Sequence, residues 1–229
     1  MERKKIELIM AVILILAAVL LSTQGAVFTG SSTAKKKTWT IVIDAGHGGN
    51  DPGKIGVNKA KEKDINLSIA KKLKKLLEKK DIKVVMVREE DTGLYTEGSN
   101  SKKVEDMRNR CALIDEADPV CTISIHQNSY HEGSIKGAQV FYYEHSAEGK
   151  EIAQYLQEHM IQGLDKTNHR QAKANDSYYL LRKTKNPTVI VECGFLSNWE
   201  EAELLVTEKY QNKVAQAICD GIMEYLESQ

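Results

Sequence analysis

Three stretches of this 229-residue chain run as apolar, β-prone residues and then stop at an ionisable group. Ile41–Gly49 (IVIDAGHGG) reaches Asp44 and His47, Ser124–Asn128 (SIHQN) reaches His126, Val189–Phe195 (VIVECGF) reaches Glu192, and Glu62 lies just downstream of the first. In an open α/β sheet the carboxyl ends of the strands line one crevice, so strand ends carrying His, His and Glu point to a shared site and to an enzyme. Two histidines and a glutamate, with a fourth position open to water, are a recurrent ligand set for hydrolytic zinc, because the metal acidifies bound water and polarises a carbonyl. The chain lacks H-E-x-x-H, so spacing alone does not choose the ligands, and a lone His at a strand end is more often structural. A phosphate-binding turn is the weaker alternative, since neither G-x-G-x-x-G nor G-x-x-x-x-G-K-[ST] follows the first strand.

The elements that must position these groups follow from hydrophobic periodicity. Trp39–Asp44 reads as a buried strand, followed by a turn with Gly46, Gly48, Gly49, Gly53 and Gly56 that lets the backbone fold tightly around whatever His47 binds. Ile65, Ile69, Leu73, Leu76 and Leu77 have helical spacing, which places Glu62 at or just before a helix start, where a carboxylate also suits the helix dipole. Ile82–Arg88 is expected as the second strand, Glu89–Lys103 as a polar loop, and Val104, Met107, Cys111 and Ile114 as the next helix face. Strands over Val120–His126 and Gly137–Tyr143 follow, then a helix around Ile152–His159 and a loop over Asp165–Ser177. Tyr178–Leu181 and Thr188–Glu192 are β-prone runs on either side of the Asn186–Pro187 turn. Ser197 and Glu200 have capping-box spacing, and Tyr210–Tyr225 reads as a closing amphipathic helix. Strands alternating with helices imply a single α/β domain, its twisted sheet mostly parallel or mixed, with helices on both faces.

Lys plus Arg equals Asp plus Glu, 32 against 32, so no global field draws the chain onto nucleic acid. Cys111, Cys121, Cys193 and Cys219 form no CxxC pair and read as buried thiols; Cys193 adjoins Glu192 but faces the opposite side of a continuing strand. At the N-terminus, MERKKIE precedes an unbroken apolar run from Leu8 to Leu21 and a softer patch to Phe28. Residues 1–28 therefore read as an export segment, either a cleaved signal peptide or a membrane anchor, with Arg3, Lys4 and Lys5 holding its start in the cytoplasm. Residues 29–37 read as a polar linker, and residues 38–229 as the catalytic domain.

DAGHGGNDPG, EKDINLSIAKKL, SIHQNS and VIVECGFLSN, in that order, resemble the successive motifs of the zinc-dependent N-acetylmuramoyl-L-alanine amidases, and the similarity runs from about Thr40 to the C-terminus. The resemblance implies one zinc ion on His47, Glu62 and His126, with Glu192 as the catalytic carboxylate. REEDTGLY, GAQVFYY and YYLLRKTKNPTVIVECGFLSN are most similar to the germination-specific amidases of spore-forming bacteria. That would imply cleavage between the muramic lactyl group and L-alanine in spore cortex peptidoglycan, a step toward muramic δ-lactam. It would also imply an exported protein on the outer face of the inner membrane or in the cortex compartment, with peptidoglycan as substrate and an accessory protein possible. Two departures, Ile114-Asp115 where many relatives have Ala-Asn and Gln127 in a variable slot of SIHxN, touch none of these positions.

Arg88, Asn128 and Arg182 are candidates for holding substrate, the arginines because a guanidinium pairs with a peptide carboxylate, and each could equally serve the fold. Asp44 is a candidate to orient a ligand histidine, or to brace its own turn. His131, His145, His159 and His169 match no motif. The competing functions are a zinc carboxypeptidase acting on wall peptides, which product analysis separates, and a non-catalytic wall-binding protein, which loss of one of the four key residues would have marked.

Overall fold

Alternation along the strands decides which side of the sheet carries the chemistry. A computed structural model describes residues 2–28 and 38–229, and divides at Lys37–Thr38 into two units. In the second unit β1 (Thr40–Ala45), β2 (Lys83–Met86), β3 (Cys121–Asn128), β4 (Gln139–Tyr143), β5 (Lys173–Asn175) and β6 (Thr188–Phe195) form one sheet in the order β2-β1-β3-β6-β4-β5. The strands from β2 to β6 are parallel, β4 runs antiparallel to β6, and β5 is parallel to β4.

Ile41, Ile43 and Ala45 of β1, Ile123 and Ile125 of β3, and Val189, Val191 and Cys193 of β6 belong to the main core. That core is completed by the apolar stripes of α2 (Glu62–Glu78), α4 (Ala147–Gly163) and α7 (Glu208–Glu227), all of which are buried. The intervening residues belong elsewhere: Val42 packs with Cys111 and Ile114 of α3 (Lys102–Ala117) and Leu180 of α5 (Tyr179–Lys183), and Ile190 packs with Phe141 and Leu181. By the period of two, Asp44, Ser124, His126 and Glu192 fall on this second side. The sheet is therefore apolar against α2, α4 and α7, and polar near its carboxyl edge on the α3 and α5 side.

Where the structure departs from the sequence expectation, local hydrogen bonding has overruled propensity. Tyr178–Leu181 is not a strand: Asn175 Oδ1 accepts from the Ser177 and Tyr178 amides, turning the chain into α5, which buries Leu180 and Leu181 in separate clusters. Asp165–Ser177 contains the three-residue edge strand β5. The cap near Ser197 belongs to Asn198, whose side chain accepts from Glu201 N to start α6 (Trp199–Leu205), while Ser197 Oγ accepts from Tyr130 N.

The first unit holds α1 (Glu2–Phe28), on which Ile6, Ile9, Ile13 and Leu16 are exposed. Among the described residues no helix is long and apolar enough to cross a membrane. The linker expected at residues 29–37 lies outside the described residues.

Candidate active site

Glu62 is the first residue of α2, and that helix start lies over the carboxyl ends of β1 and β3. Its Oε1 is 2.9 Å from His126 Nδ1 and accepts from Gln127 N at 3.1 Å; its Oε2 is 3.2 Å from His47 Nε2 and accepts from Lys54 N at 2.8 Å. His47, Glu62 and His126 each offer one ligand atom, and these atoms lie within 4.8 Å of one another, close enough to share one metal ion. Glu192 is the Cα partner of His126 across the β3–β6 ladder and also lines the cavity that His126 enters. Its Oε2 is buried and has no hydrogen-bond partner, a cost that a fold tolerates where a reacting group belongs. The ladder slips by one residue just beyond, between His126 and Asn128, where Asn128 pairs with Phe195. Irregularities of this kind often adjoin active sites.

The turn after β1 is folded so tightly that His47 itself has φ 63°, a left-handed value for a non-glycine residue. Gly46 and Gly53 make room for the cluster. A Cβ on Gly46 would lie 2.2 Å from His126 Nε2, and one on Gly53, itself at φ 67°, would lie 2.6 Å from Glu62 Oε2.

Two buried arginines hold this turn by its carbonyls. Arg88 Nε donates to Ala45 O at 2.8 Å, and Nη2 donates to Gly46 O at 3.1 Å and Lys63 O at 2.8 Å. Arg110 donates to Ala45 O at 3.0 Å and His47 O at 2.7 Å, and pairs with Asp44 at 2.5 Å and Asp106 at 2.6 Å. Arg88 is thus committed to backbone, at 4 % exposure, and its donors are spent there, so the expectation that it grips substrate gives way to a structural role. Asp44 is likewise spent on Arg110 and Ser124 Oγ and bonds neither histidine. The carboxylate that orients His47 is Asp51, whose Oδ2 is 2.9 Å from Nδ1. Asn128 accepts from Ser129 N, Arg182 is exposed on α5, and neither lines the cavity.

The charges explain why such a cluster holds together. Burial works against the ionised form of Glu62, but the two imidazoles outweigh it and hold the carboxyl far below the usual range. Burial also opposes protonation of His47, yet Glu62 and Asp51 lift its pKa to about 9; His126 is raised against its burial, chiefly by Glu62. Without a metal, protons on the imidazoles supply the positive charge that buried Glu62 requires, and a cation entering between them displaces those protons. Glu192 moves the other way. Burial pushes its carboxyl up to about 7, with His126 and His47 pulling it down and Glu62 adding to the rise.

The cavity beside these groups has a volume of about 410 Å³. Met107, Leu180 and Ile190 give it apolar walls, and Tyr95, Tyr178 and Lys103 also line it. Two histidines and a glutamate that could hold a metal ion, beside a separate buried carboxylate raised toward neutrality, give such a space the parts that metal-assisted hydrolysis requires. Sequence reasoning missed Asp51 and Arg110. Arg110 did leave a signal, since it falls among Met107, Cys111 and Ile114 on the stripe that α3 buries.

Comparison with known proteins identifies the family. The profile of the N-acetylmuramoyl-L-alanine amidase family (Amidase_3) matches residues 41–224. The germination-specific N-acetylmuramoyl-L-alanine amidase of Bacillus subtilis is 40 % identical over 188 residues, covering 81 % of this chain and 78 % of that protein. The CwlD amidase of Clostridioides difficile, solved in complex with the GerS lipoprotein, superposes with a TM-score of 0.82 at 41 % identity, covering 84 % of this chain and all of that one. An N-acetylmuramoyl-L-alanine amidase from Clostridium difficile 630 gives a TM-score of 0.73 at 33 % identity, covering 84 % and 98 %. With motif order, fold and site in agreement, this chain belongs to the N-acetylmuramoyl-L-alanine amidase family and is an amidase of the bacterial cell wall.

Proposed function

We propose that the chain is a zinc-dependent amidase that cleaves the bond between the muramic lactyl group and L-alanine in spore cortex peptidoglycan, a step toward muramic δ-lactam. The observation that carries this reading is the buried, unpartnered Oε2 of Glu192 beside the His47–Glu62–His126 triad. Those three residues would hold one zinc ion, which when bound polarises the scissile carbonyl and acidifies its water. The donor set fits: two imidazoles and one carboxylate leave a position open, and the space is preserved by glycines that no other residue could replace without a clash.

Within this site Glu192 takes a proton on its free oxygen from the water that attacks the lactyl carbonyl, and passes it to the L-alanine nitrogen as the carbon–nitrogen bond breaks. A carboxyl raised toward neutrality suits both halves of that transfer, because it accepts and releases a proton at little cost. Met107, Leu180 and Ile190 keep the reacting bond away from bulk water. Asp51 fixes the ring of His47 so that Nε2 is aimed at the shared centre.

The cortex role rests on similarity to the germination-specific amidase. Residues 1–28 serve as the signal or anchor that places the enzyme on the outer face of the inner membrane or beyond it. A lipoprotein partner is proposed by analogy with the complex of the Clostridioides difficile amidase.

Purified protein incubated with peptidoglycan should expose new L-alanine amino termini, detected by terminal labelling. Release of free D-alanine alone would restore the carboxypeptidase alternative. Asp51→Asn should weaken zinc affinity by about 10- to 100-fold, the usual effect of removing the partner of a ligand histidine, as measured by competition with a chelating dye. Unchanged affinity would mean that Asp51 only braces the turn.

A further inference from the structure

One wall of the cavity is formed by the start of α3, and the charged groups lining the space are almost all engaged. Asp44 and Asp106 are paired with Arg110, and Asp51 is paired with His47. Lys102 reaches Glu97 at 2.9 Å and lies over the Tyr95 ring, 5.0 Å from its centre. Lys103 also lines the cavity, and among the described residues its side chain makes no hydrogen bond and no ion pair. It is close enough to Asp51 to help hold that carboxyl below its usual range, which places its charge one side chain from His47.

The cavity thus joins three features. The triad and Glu192, a small apolar wall of Met107, Leu180 and Ile190, and an uncommitted cation, Lys103, one helical turn from Met107 on α3, all line the same space. A peptide leaving the scissile amide presents a methyl group first and then, about 3.8 Å further along the chain from Cα to Cα, the substituents of its second residue. An apolar patch beside a cation complements an alanine followed by an acid. We propose that Lys103 binds the free α-carboxylate of the acidic second residue of the stem peptide, and so makes the enzyme discriminate between stems that carry this carboxylate and stems in which it is amidated. The inference rests on the amidase reading of the same site.

The test uses two matched substrates, N-acetylmuramoyl-L-alanyl-D-glutamate extended through its γ-carboxyl, with the α-carboxyl free in one and amidated in the other. The parent enzyme should favour the free acid by about tenfold in kcat/KM, the scale of one charge-assisted hydrogen bond at a partly solvated site, with the difference lying in KM. Lys103→Met should lose that preference by raising KM for the acid alone, and Lys103→Arg should restore most of it. Rising salt should narrow the parent's preference and leave the methionine variant unaffected. Equal losses on both substrates would overturn the inference, since Lys103 would then act through Asp51 and His47. Equal use of both substrates by the parent would overturn it as well. Failure of the parent to cleave either substrate would instead overturn the amidase reading on which it stands.

Discussion

Replacing Glu192 by glutamine should lower turnover by about 10²- to 10⁴-fold, the usual scale for general acid–base catalysis, while leaving zinc in place. Glutamine keeps the shape of the side chain but cannot take up the proton, and Glu192 is not one of the three clustered ligands. Glu62→Gln should behave differently: it removes the one anion between two imidazoles, so metal and activity fall together, and added zinc restores part of both. Zinc stoichiometry and turnover on the two variants separate a ligand from a proton carrier. A zinc-free Glu192→Gln protein, or one that hydrolyses at the parent rate, would falsify the assignment. The pH profile gives a further readout, because Glu192 acts as a base only when ionised. The rate therefore rises with pH through its pKa, and the ascending limb should lie between the ordinary glutamate value of 4.5 and about 7, where a neighbouring cation pulls against burial. Glu192→Gln should erase that limb.

The second large effect concerns stability. Arg110 is 2 % exposed and serves Asp44, Asp106 and two backbone carbonyls at once, so Arg110→Met should destabilise the domain by about 3–5 kcal/mol, chiefly by leaving Asp44 buried without its counter-charge. The sign with pH follows from Asp44. Burial raises its pKa, but Arg110, Ser124 and His126 outweigh that and lower it below 3.8, so its contribution is present above that value and lost as pH falls through the folded pKa. The deficit of Arg110→Met should therefore be largest near neutrality and shrink in acid, where Asp44 is protonated in the variant. Urea unfolding at several pH values measures it, and the double variant Asp44→Asn/Arg110→Met should recover part of the loss. A single variant with the parent's midpoint at neutral pH would show that the pair contributes nothing net.

How much of this was legible beforehand depended on whether the information was local. Strand ends that stop at His47, His126 and Glu192 announce themselves, because alternation and β-propensity are properties of neighbouring residues and the sheet then brings the ends together. Glu62 was placed at a helix start by the stripe from Ile65 to Leu77, and α2 indeed begins there. Asp44 was visible as an ionisable group but its partner was not, since Arg110 lies 66 positions away and only the packing of α3 on β1 joins them. Arg88 failed for the opposite reason. An arginine at a strand end reads as a substrate clamp until the folded backbone around it offers the carbonyls of Ala45, Gly46, Lys63 and Glu90. Tyr178–Leu181 could not be resolved by periodicity, because four apolar or aromatic residues fit a strand and a helical turn equally well, and the decision fell to the Asn175 side chain.

The order in which the chain is made differs from the order in which the sheet is laid out. β6, the last strand in sequence, sits between β3 and β4, so the two halves of the sheet meet only when it inserts. His47, Glu62 and His126 all precede it, while Glu192 arrives with it. On the roles proposed above, a chain still growing, or one shortened before Thr188, carries the three residues proposed to hold a metal but not the carboxylate proposed to move the proton. Those roles make completion of the fold and onset of hydrolysis one event, so that a partly made copy of this wall-cutting enzyme would be inert.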